Sequence, residues 1–214
     1  MAEPTKQHLL DAALRVYAEC GFRGATTRRI AEEAGVNEVT LFRQFGSKAA
    51  LIEAAVEHAS ALGVPKPLPQ DPIDPERELT AWAQHNHSFM LEMRSMIRTS
   101  MAEMHERPEC ADTAASKPAA GYRDLSAYIE ALAAKRLIPS ATDAKPAAAM
   151  LIGTIFADAM GRDLMPDMFP PEKDAPAAYV RLFLRAIGAK ALALLLMLAP
   201  VTPVLAQGAT APAA

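Results

Sequence analysis

The chain has 214 residues, of which 51% are apolar and only 6% aromatic, and its formal net charge is −3. Alanine, leucine and methionine favour helices, and alternating runs of β-branched residues are absent, so we expect an all-α protein with a sizeable core. Two cysteines, Cys20 and Cys110, exclude a disulfide framework and indicate a reducing, cytoplasmic location. The acidic balance alone argues against a nucleic-acid partner.

The charge is unevenly distributed along the chain. Residues 1–48 carry seven Lys or Arg and six Asp or Glu, whereas the remainder is acidic. Any contact with DNA is therefore expected in the N-terminal part. We see no signal peptide, because Met1 to Lys6 lead straight into an amphipathic helix.

Four short helices are predicted in the first 63 residues, each ending at a glycine. Their capping residues and terminal glycines are, in chain order, Thr5 and Gly21, Thr26 or Thr27 and Gly35, Asn37 and Gly46, and Ser47 and Gly63. The second and third helices, joined through Gly35, are typical of a helix-turn-helix unit. Its third helix should pack Val36, Leu41 and Phe45 inward and turn its polar flank toward a major groove.

A linker with five prolines, residues 63–75, separates this unit from a larger helical body. Spacing predicts further helices at about 75–93, 95–106, 118–136, 143–164 and 176–198. The last of these includes the apolar run 191–198, and we expect 200–214 to be mobile. The apolar tail 191–214 is short and broken by prolines, which is unfavourable for spanning a bilayer.

The stretch GFRGATTRRIAEEAGVNEVTLFRQFGSKAAL resembles the DNA-binding domain of the TetR family of transcriptional regulators. The resemblance covers about the first sixty residues and rests on many fixed offsets, including Thr-Thr before the second helix and Phe-x-Ser-Lys after the third. It implies a helix-turn-helix domain over 3–63 with its motif at 26–45. A helical effector-binding and dimerisation domain over 64–199 and a tail over 200–214 would follow.

The resemblance assigns DNA contacts residue by residue. Thr27 would hold a phosphate, or merely cap its helix, and Glu38 would accept from a cytosine amino group, or merely favour a helix N-terminus. Phe42 stands where the family usually has tyrosine, and Val39 where it often has a small residue. The DNA-binding candidates are Thr27, Arg28, Asn37, Glu38, Thr40, Phe42, Arg43 and Lys48.

Two further sets of candidates lie in the body. Methionine-rich faces suit a pocket for a hydrophobic or amphipathic molecule, although ordinary core packing is an equal alternative. The effector candidates are Trp82, Phe89, Met93, Met96 and Met101. Small residues every four positions suit a close helix contact, either between subunits or within one. The dimer candidates are Gly153, Ala157, Gly161, Phe183 and Ile187.

No metal, cofactor or catalytic residue is predicted. His85, His87 and His105 invite a metal hypothesis, but His85 and His87 stand two apart on a helix, point to nearly opposite sides and do not chelate together. The leading hypothesis is a ligand-responsive repressor that binds a palindromic operator as a homodimer. The alternatives are a membrane-associated interaction protein using the apolar tail and an enzyme in the helical body, for which no convergent catalytic group is present.

Overall fold

The computed structural model describes residues 6–63, 67–104 and 111–189, and the regular structure in these ranges is entirely helical, as the composition predicts. A short 3-10 turn, Pro166–Met168, precedes the last α-helix. The α-helices of the described ranges are α1 (Lys6–Gly24), α2 (Thr27–Ala34), α3 (Glu38–Phe45), α4 (Lys48–Leu62), α5 (Pro75–Glu92), α6 (Arg94–Glu103), α7 (Ala111–Ala134), α8 (Ala144–Gly161) and α9 (Ala175–Ala186).

Polar side chains cap the starts of α2, α3 and α4. Thr26 accepts from the backbone N–H of Arg29, and Asn37 accepts from that of Val39. Ser47 likewise accepts from the N–H of Ala50 at the start of α4. Each bond satisfies a donor that the helix itself leaves unpaired. The predicted starts of these three helices are therefore confirmed, while Thr5, the predicted cap of α1, lies outside the described residues.

Helix α1 contains a break at Gly21. The backbone there has φ 68° and ψ 179°, and a short turn continues from it to Gly24. The predicted end of the first helix coincides with this break. A positive φ is costly for residues with a Cβ, so glycine suits the position.

The first four helices share a hydrophobic cluster that also includes part of α6; we call it the N-terminal core. Helix α6 follows the proline-rich linker in sequence, yet Met96 packs into this cluster, with Met93 and Ile97 against it. The buried members from the first four helices include Leu9, Leu10, Val16, Ile30, Leu41, Leu51 and Ile52. Helix α6 thus belongs by packing to the N-terminal unit.

Helices α5, α7, α8 and α9 enclose a second cluster, the C-terminal core. Its members include Leu79, Trp82, Leu125, Ile129, Leu151, Ile155, Val180 and Phe183. Leu68 of the linker is buried in it as well. Removing this much apolar surface from water is what holds the four helices together.

Several predicted boundaries in the body differ from the structure. Helix α7 begins at Ala111, well before the predicted start near Pro118. Helix α9 ends at Ala186, and the predicted extension over 191–198 lies outside the described residues, as does the tail 200–214. Within the described ranges, no helix has both the length and the apolar character that crossing a membrane requires.

Candidate nucleic-acid interface

The turn between α2 and α3 is a tight connection through Gly35. Gly35 adopts a left-handed conformation with φ 66°, and its N–H points back to the carbonyls of Ala31 and Glu32. Leu41 of α3 is fully buried against Ile30 and the rest of the N-terminal core, while Val36 and Phe45 are partly buried. These three positions anchor one flank of α3, as its sequence pattern predicts.

The opposite flank of α3 faces solvent. Asn37, Phe42, Arg43 and Gln44 are exposed, and Thr40 is partly exposed. Two apolar side chains on this surface are unusually open, since Val39 is 71% and Phe42 47% exposed. Exposed apolar groups on an otherwise polar helix suit contact with thymine methyl groups and sugars in a groove.

The start of α2 is tied to the start of α3 by a side-chain bond. The Thr27 hydroxyl donates to Oε2 of Glu38 over 2.8 Å, in partly buried surroundings. Arg28, the next residue, is exposed and pairs with Glu32 at 2.9 Å. Exposed pairs of this kind contribute little stability and exchange readily for another anion, so Arg28 stays available to a phosphate.

Lys48 lies against the break in α1. Its ammonium donates to the carbonyl oxygen of Phe22 over 2.7 Å and sits 4.2 Å from the centroid of the Phe22 ring. The family resemblance makes Lys48 a DNA-binding candidate, in the role of a lysine that binds a phosphate. An ammonium carries three donors, so a phosphate contact is compatible with these two interactions. They also give Lys48 a structural role that the sequence does not reveal.

The C-terminal end of α6 contacts the same break in α1, on the side opposite Lys48. Oε1 of Glu103 accepts from the backbone N–H of Phe22 at 2.5 Å, and Oε2 accepts from the Tyr17 hydroxyl at 3.0 Å. The Thr99 hydroxyl donates to the carbonyl of Ala18 at 3.1 Å. We call Glu103, Phe22 and Lys48 the α6 joint. The Glu103 side chain binds the backbone N–H of Phe22 and the Lys48 side chain binds its carbonyl oxygen, next to the helix-turn-helix unit.

Comparison with known families agrees with this geometry. Residues 9–55, which cover α2, α3 and most of α1, match the family model described as bacterial regulatory proteins, tetR family. The chain carries the N-terminal domain of the TetR family. The resemblance predicted from the glycine, threonine and lysine offsets is confirmed.

Two curated relatives each match only a short part of this chain. The HTH-type transcriptional regulator YvkB of Bacillus subtilis is 44% identical over 61 residues, which are 28% of this chain and 32% of YvkB. The class D tetracycline repressor protein of Escherichia coli is 40% identical over 58 residues, 27% of either chain. The chain thus matches only about a third or less of these relatives' length.

The whole fold resembles solved TetR-like structures at low sequence identity. The transcriptional regulator FadR from Bacillus subtilis, crystallised with stearoyl-CoA, aligns with a TM-score of 0.68 and 16% identity. The alignment covers 86% of this chain and 100% of that structure. At this identity the likeness extends to the arrangement of helices, including those of the body.

The effector candidates do not lie together. Trp82 is buried in the C-terminal core, whereas Met96 is buried in the N-terminal core with Met93 packed against that core. Phe89 lies against Gly63 at the end of α4, and Met101 is 52% exposed. For Met93 and Met96 the alternative of ordinary packing is therefore the better interpretation, because both fill the contact between α6 and α1.

The dimer candidates separate into two groups. Gly153 and Ala157 are exposed on α8, and space is open around Gly153. Gly161 is buried instead, since a Cβ placed there would lie 3.0 Å from the Phe169 ring of the same chain. Phe183 and Ile187 belong to the C-terminal core. Packing within the chain already covers Gly161, Phe183 and Ile187, so Gly153 and Ala157 are the two candidates that are open to a second copy.

A buried polar cluster in the body was missed by the sequence reasoning. Asp158 of α8 is fully buried and accepts from Arg162 at 2.6 and 2.7 Å and from the Tyr179 hydroxyl at 2.6 Å. His87 of α5, which is 2% exposed, lies 3.3 Å from it. We call these four residues the Asp158 cluster. Asp158 and Arg162 stand at i and i+4, a spacing that signals the pair in the sequence.

Charge in the Asp158 cluster is balanced by hydrogen bonds. Burial alone raises the pKa of Asp158, but hydrogen bonds from Arg162 and Tyr179, with His87 close by, outweigh it, so the pKa of this carboxyl is lowered. The cluster ties α5, α8 and α9 together. His85, two residues from His87, is exposed and lies 3.3 Å from the carbonyl of Gly63, so the two histidines face different surroundings.

Proposed function

We propose that this protein is a ligand-responsive transcriptional regulator that represses by holding a palindromic operator as a homodimer. The observation that carries the proposal is the exposed flank of α3, which a buried leucine and a glycine turn fix at the surface. A helix presented in this way can enter a major groove with its N-terminal residues at the base edges. Asn37, Thr40, Phe42 and Arg43 are the side chains we assign to that contact.

Electrostatics support a local interface. The slight basic excess of residues 1–48 sits on an otherwise acidic chain, so DNA is attracted to one end and repelled by the body. Repulsion by the body favours a defined orientation on the duplex. The acidic balance that argued against nucleic acid for the chain as a whole is thus compatible with an operator.

A route from the body to α3 runs through α6. Midway along α6, Arg98 forms a bidentate pair with Asp163, which follows α8, at 2.7 and 2.9 Å. At its C-terminal end Glu103 holds the α6 joint. A ligand that prefers one arrangement of α8 would therefore move α6 and the break in α1 together. The effect on DNA can be no larger than the difference in the ligand's affinity for the two arrangements.

The chemical class of the effector is proposed from the relatives. FadR from Bacillus subtilis was crystallised with stearoyl-CoA, an amphipathic molecule. The tetracycline repressor is named for a drug. We assign a hydrophobic or amphipathic small molecule to the body of this chain, since its core helices are rich in alanine, leucine and methionine.

The homodimer is proposed to form through α8. Pro146, Met150, Gly153 and Ala157 recur at helical spacing, and all four are exposed and uncharged. Leu182 of α9 is 67% exposed as well. An uncharged face with small residues permits close approach of the same face of a second copy. Two copies would then place their α3 helices about 34–36 Å apart on the operator.

A binding assay with matched arginine variants tests the function. Fluorescence anisotropy with duplexes from the region upstream of the gene should reveal specific binding by the purified full-length protein. Arg43→Ala should weaken binding by about 5- to 30-fold, because it removes a contact of the reading helix. Arg15→Ala is the control, since Arg15 on α1 is exposed and pairs with Glu33 at 2.9 Å. Equal losses, or no specific binding even at low salt, would refute the proposal.

A further inference from the structure

The hydrogen bond between Thr27 and Glu38 gives the Thr27 hydroxyl a role that the sequence does not offer. The helix cap belongs to Thr26, whose side chain accepts from the N–H of Arg29. The Thr27 hydroxyl has one proton, and it is donated to Oε2 of Glu38 at 2.8 Å. The same proton is therefore not available to a phosphate. What the hydroxyl does here is hold a carboxylate.

The bond joins the first residues of the two helices of the unit. Thr27 begins α2 and Glu38 begins α3, and the contact is partly buried. Glu38 is thereby restrained at the end of α3 from which base edges are read. An ionised carboxylate accepts at up to about four lone-pair positions, so one bond from Thr27 leaves acceptor capacity for a second donor.

The four bases differ sharply in what they offer to a fixed acceptor. Cytosine presents only an amino donor in the major groove, whereas adenine presents its amino group beside the acceptor N7. Guanine presents two acceptors and thymine an acceptor with a methyl group. A carboxylate restrained in this way is repelled by guanine and thymine and only partly matched by adenine. Cytosine is the complementary edge.

We propose that Glu38 selects a cytosine at one base pair of each half-site and that Thr27 is the positioning residue that enforces this choice. The inference rests on the proposed function, because it requires α3 to lie in a major groove. It deepens that function by naming the base and by explaining why a second helix contributes to its recognition. Thr27 itself touches no base.

The base preference is tested with the full-length protein and a library of operators. Selection from duplexes randomised within the operator, followed by anisotropy on single variants, should find one pair per half-site at which replacing cytosine weakens binding about 5- to 100-fold. Glu38→Ala should reduce that discrimination to within about threefold. Glu38→Gln should move the preference toward adenine, whose N6 and N7 match an amide.

Two variants of Thr27 separate positioning from a phosphate contact. Thr27→Val keeps the shape but lacks the hydroxyl, and should lower discrimination at the Glu38-dependent pair to within about threefold while binding of non-specific DNA is unchanged. Thr27→Ser restores the hydroxyl and should restore discrimination. A Thr27 that binds phosphate predicts instead an equal loss on all sequences.

Several results would overturn the inference. One is an operator with no pair whose preference depends on Glu38; another is a Thr27→Val protein that loses affinity uniformly, or a Thr27→Ser protein that does not recover. If the wild-type protein binds an operator specifically in these cases, the inference alone fails. If it binds no duplex above non-specific DNA, the proposed function fails as well. Thermal unfolding of each variant establishes that the protein is folded.

Discussion

At the scale of single residues, Asp158 is the one on which the stability of the body depends most clearly. Its carboxylate is fully buried between three helices and receives donors from Arg162 and Tyr179. Removing one partner of a buried pair leaves the other charge uncompensated, which is far more costly than losing an exposed pair. Arg162 also donates to the carbonyl of Pro170, so the cluster fixes the chain that leads into α9.

Replacing Asp158 should therefore destabilise the protein strongly. We expect Asp158→Asn to lower the free energy of unfolding by about 3 kcal/mol, because Arg162 is left with a neutral partner. Asp163→Asn is a matched control five positions on, where the Asp163 side chain is 39% exposed and pairs with Arg98; it should cost far less, because exposed pairs contribute little stability. Urea denaturation followed by circular dichroism measures both, and similar losses would contradict the assignment.

The lowered pKa of Asp158 makes a second prediction about the same residue. A carboxyl whose pKa is depressed by folding contributes stability above its unfolded pKa of about 3.9, and that contribution is lost as the pH falls through the folded value. The wild type should therefore lose stability faster than Asp158→Asn below about pH 4. Unfolding midpoints measured from pH 7 to pH 3 should converge, and a constant gap between the two proteins would rule this out.

At the scale of elements, the proposed function gives the α6 joint the task of linking the body to α3. Helix α6 packs in the N-terminal core but is bound to the region after α8 through Arg98 and Asp163. Glu103 then reaches Phe22, and Lys48 holds the carbonyl of the same residue. Glycine suits position 21 next to this contact because the backbone there has φ 68°, and a Cβ would also meet Oε1 of Glu103 at 2.6 Å.

Loosening the α6 joint should be visible at one amide. Glu103→Gln has a single acceptor oxygen for two donors, Phe22 N–H and the Tyr17 hydroxyl, so one of them loses its partner. We expect faster hydrogen exchange at the Phe22 amide and about a fivefold loss of operator affinity, equivalent to about 1 kcal/mol. Glu92→Gln, at the exposed end of α5, is the control. Unchanged exchange at Phe22 would mean that the bond has no role.

The sequence predicts the short N-terminal helices well and the contacts between distant helices poorly. The glycines and capping residues of α2, α3 and α4 act within a few positions, so local rules placed these helices correctly. Packing of Met96 against α1 joins segments some eighty residues apart, and no periodicity reveals it. For the same reason the methionines of α6 were assigned to an effector pocket. The bond of Glu103 to Phe22 is equally non-local, whereas the Asp158 and Arg162 spacing was readable.

At the scale of the whole molecule, the face of α8 separates a dimer contact from internal packing. A stripe of small residues is ambiguous in sequence, since a glycine can admit a neighbour from its own chain or from a second copy. Gly161 admits Phe169 of the same chain, while Gly153 and Ala157 remain open. We therefore assign the latter two to the proposed interface. A variant at Gly161 would disturb folding and report nothing about assembly.

A charge placed on the open part of α8 is accordingly the decisive test of the dimer. Ala157→Glu introduces a carboxylate into a contact that meets its own copy across a two-fold axis, so each interface would gain two charges to be desolvated. We expect sedimentation velocity to show a monomer and operator affinity to fall more than tenfold, because two linked reading helices bind far more tightly than one. Ala127→Glu, at an exposed alanine of α7, should remain dimeric and bind normally. A dimeric Ala157→Glu protein would place the interface elsewhere.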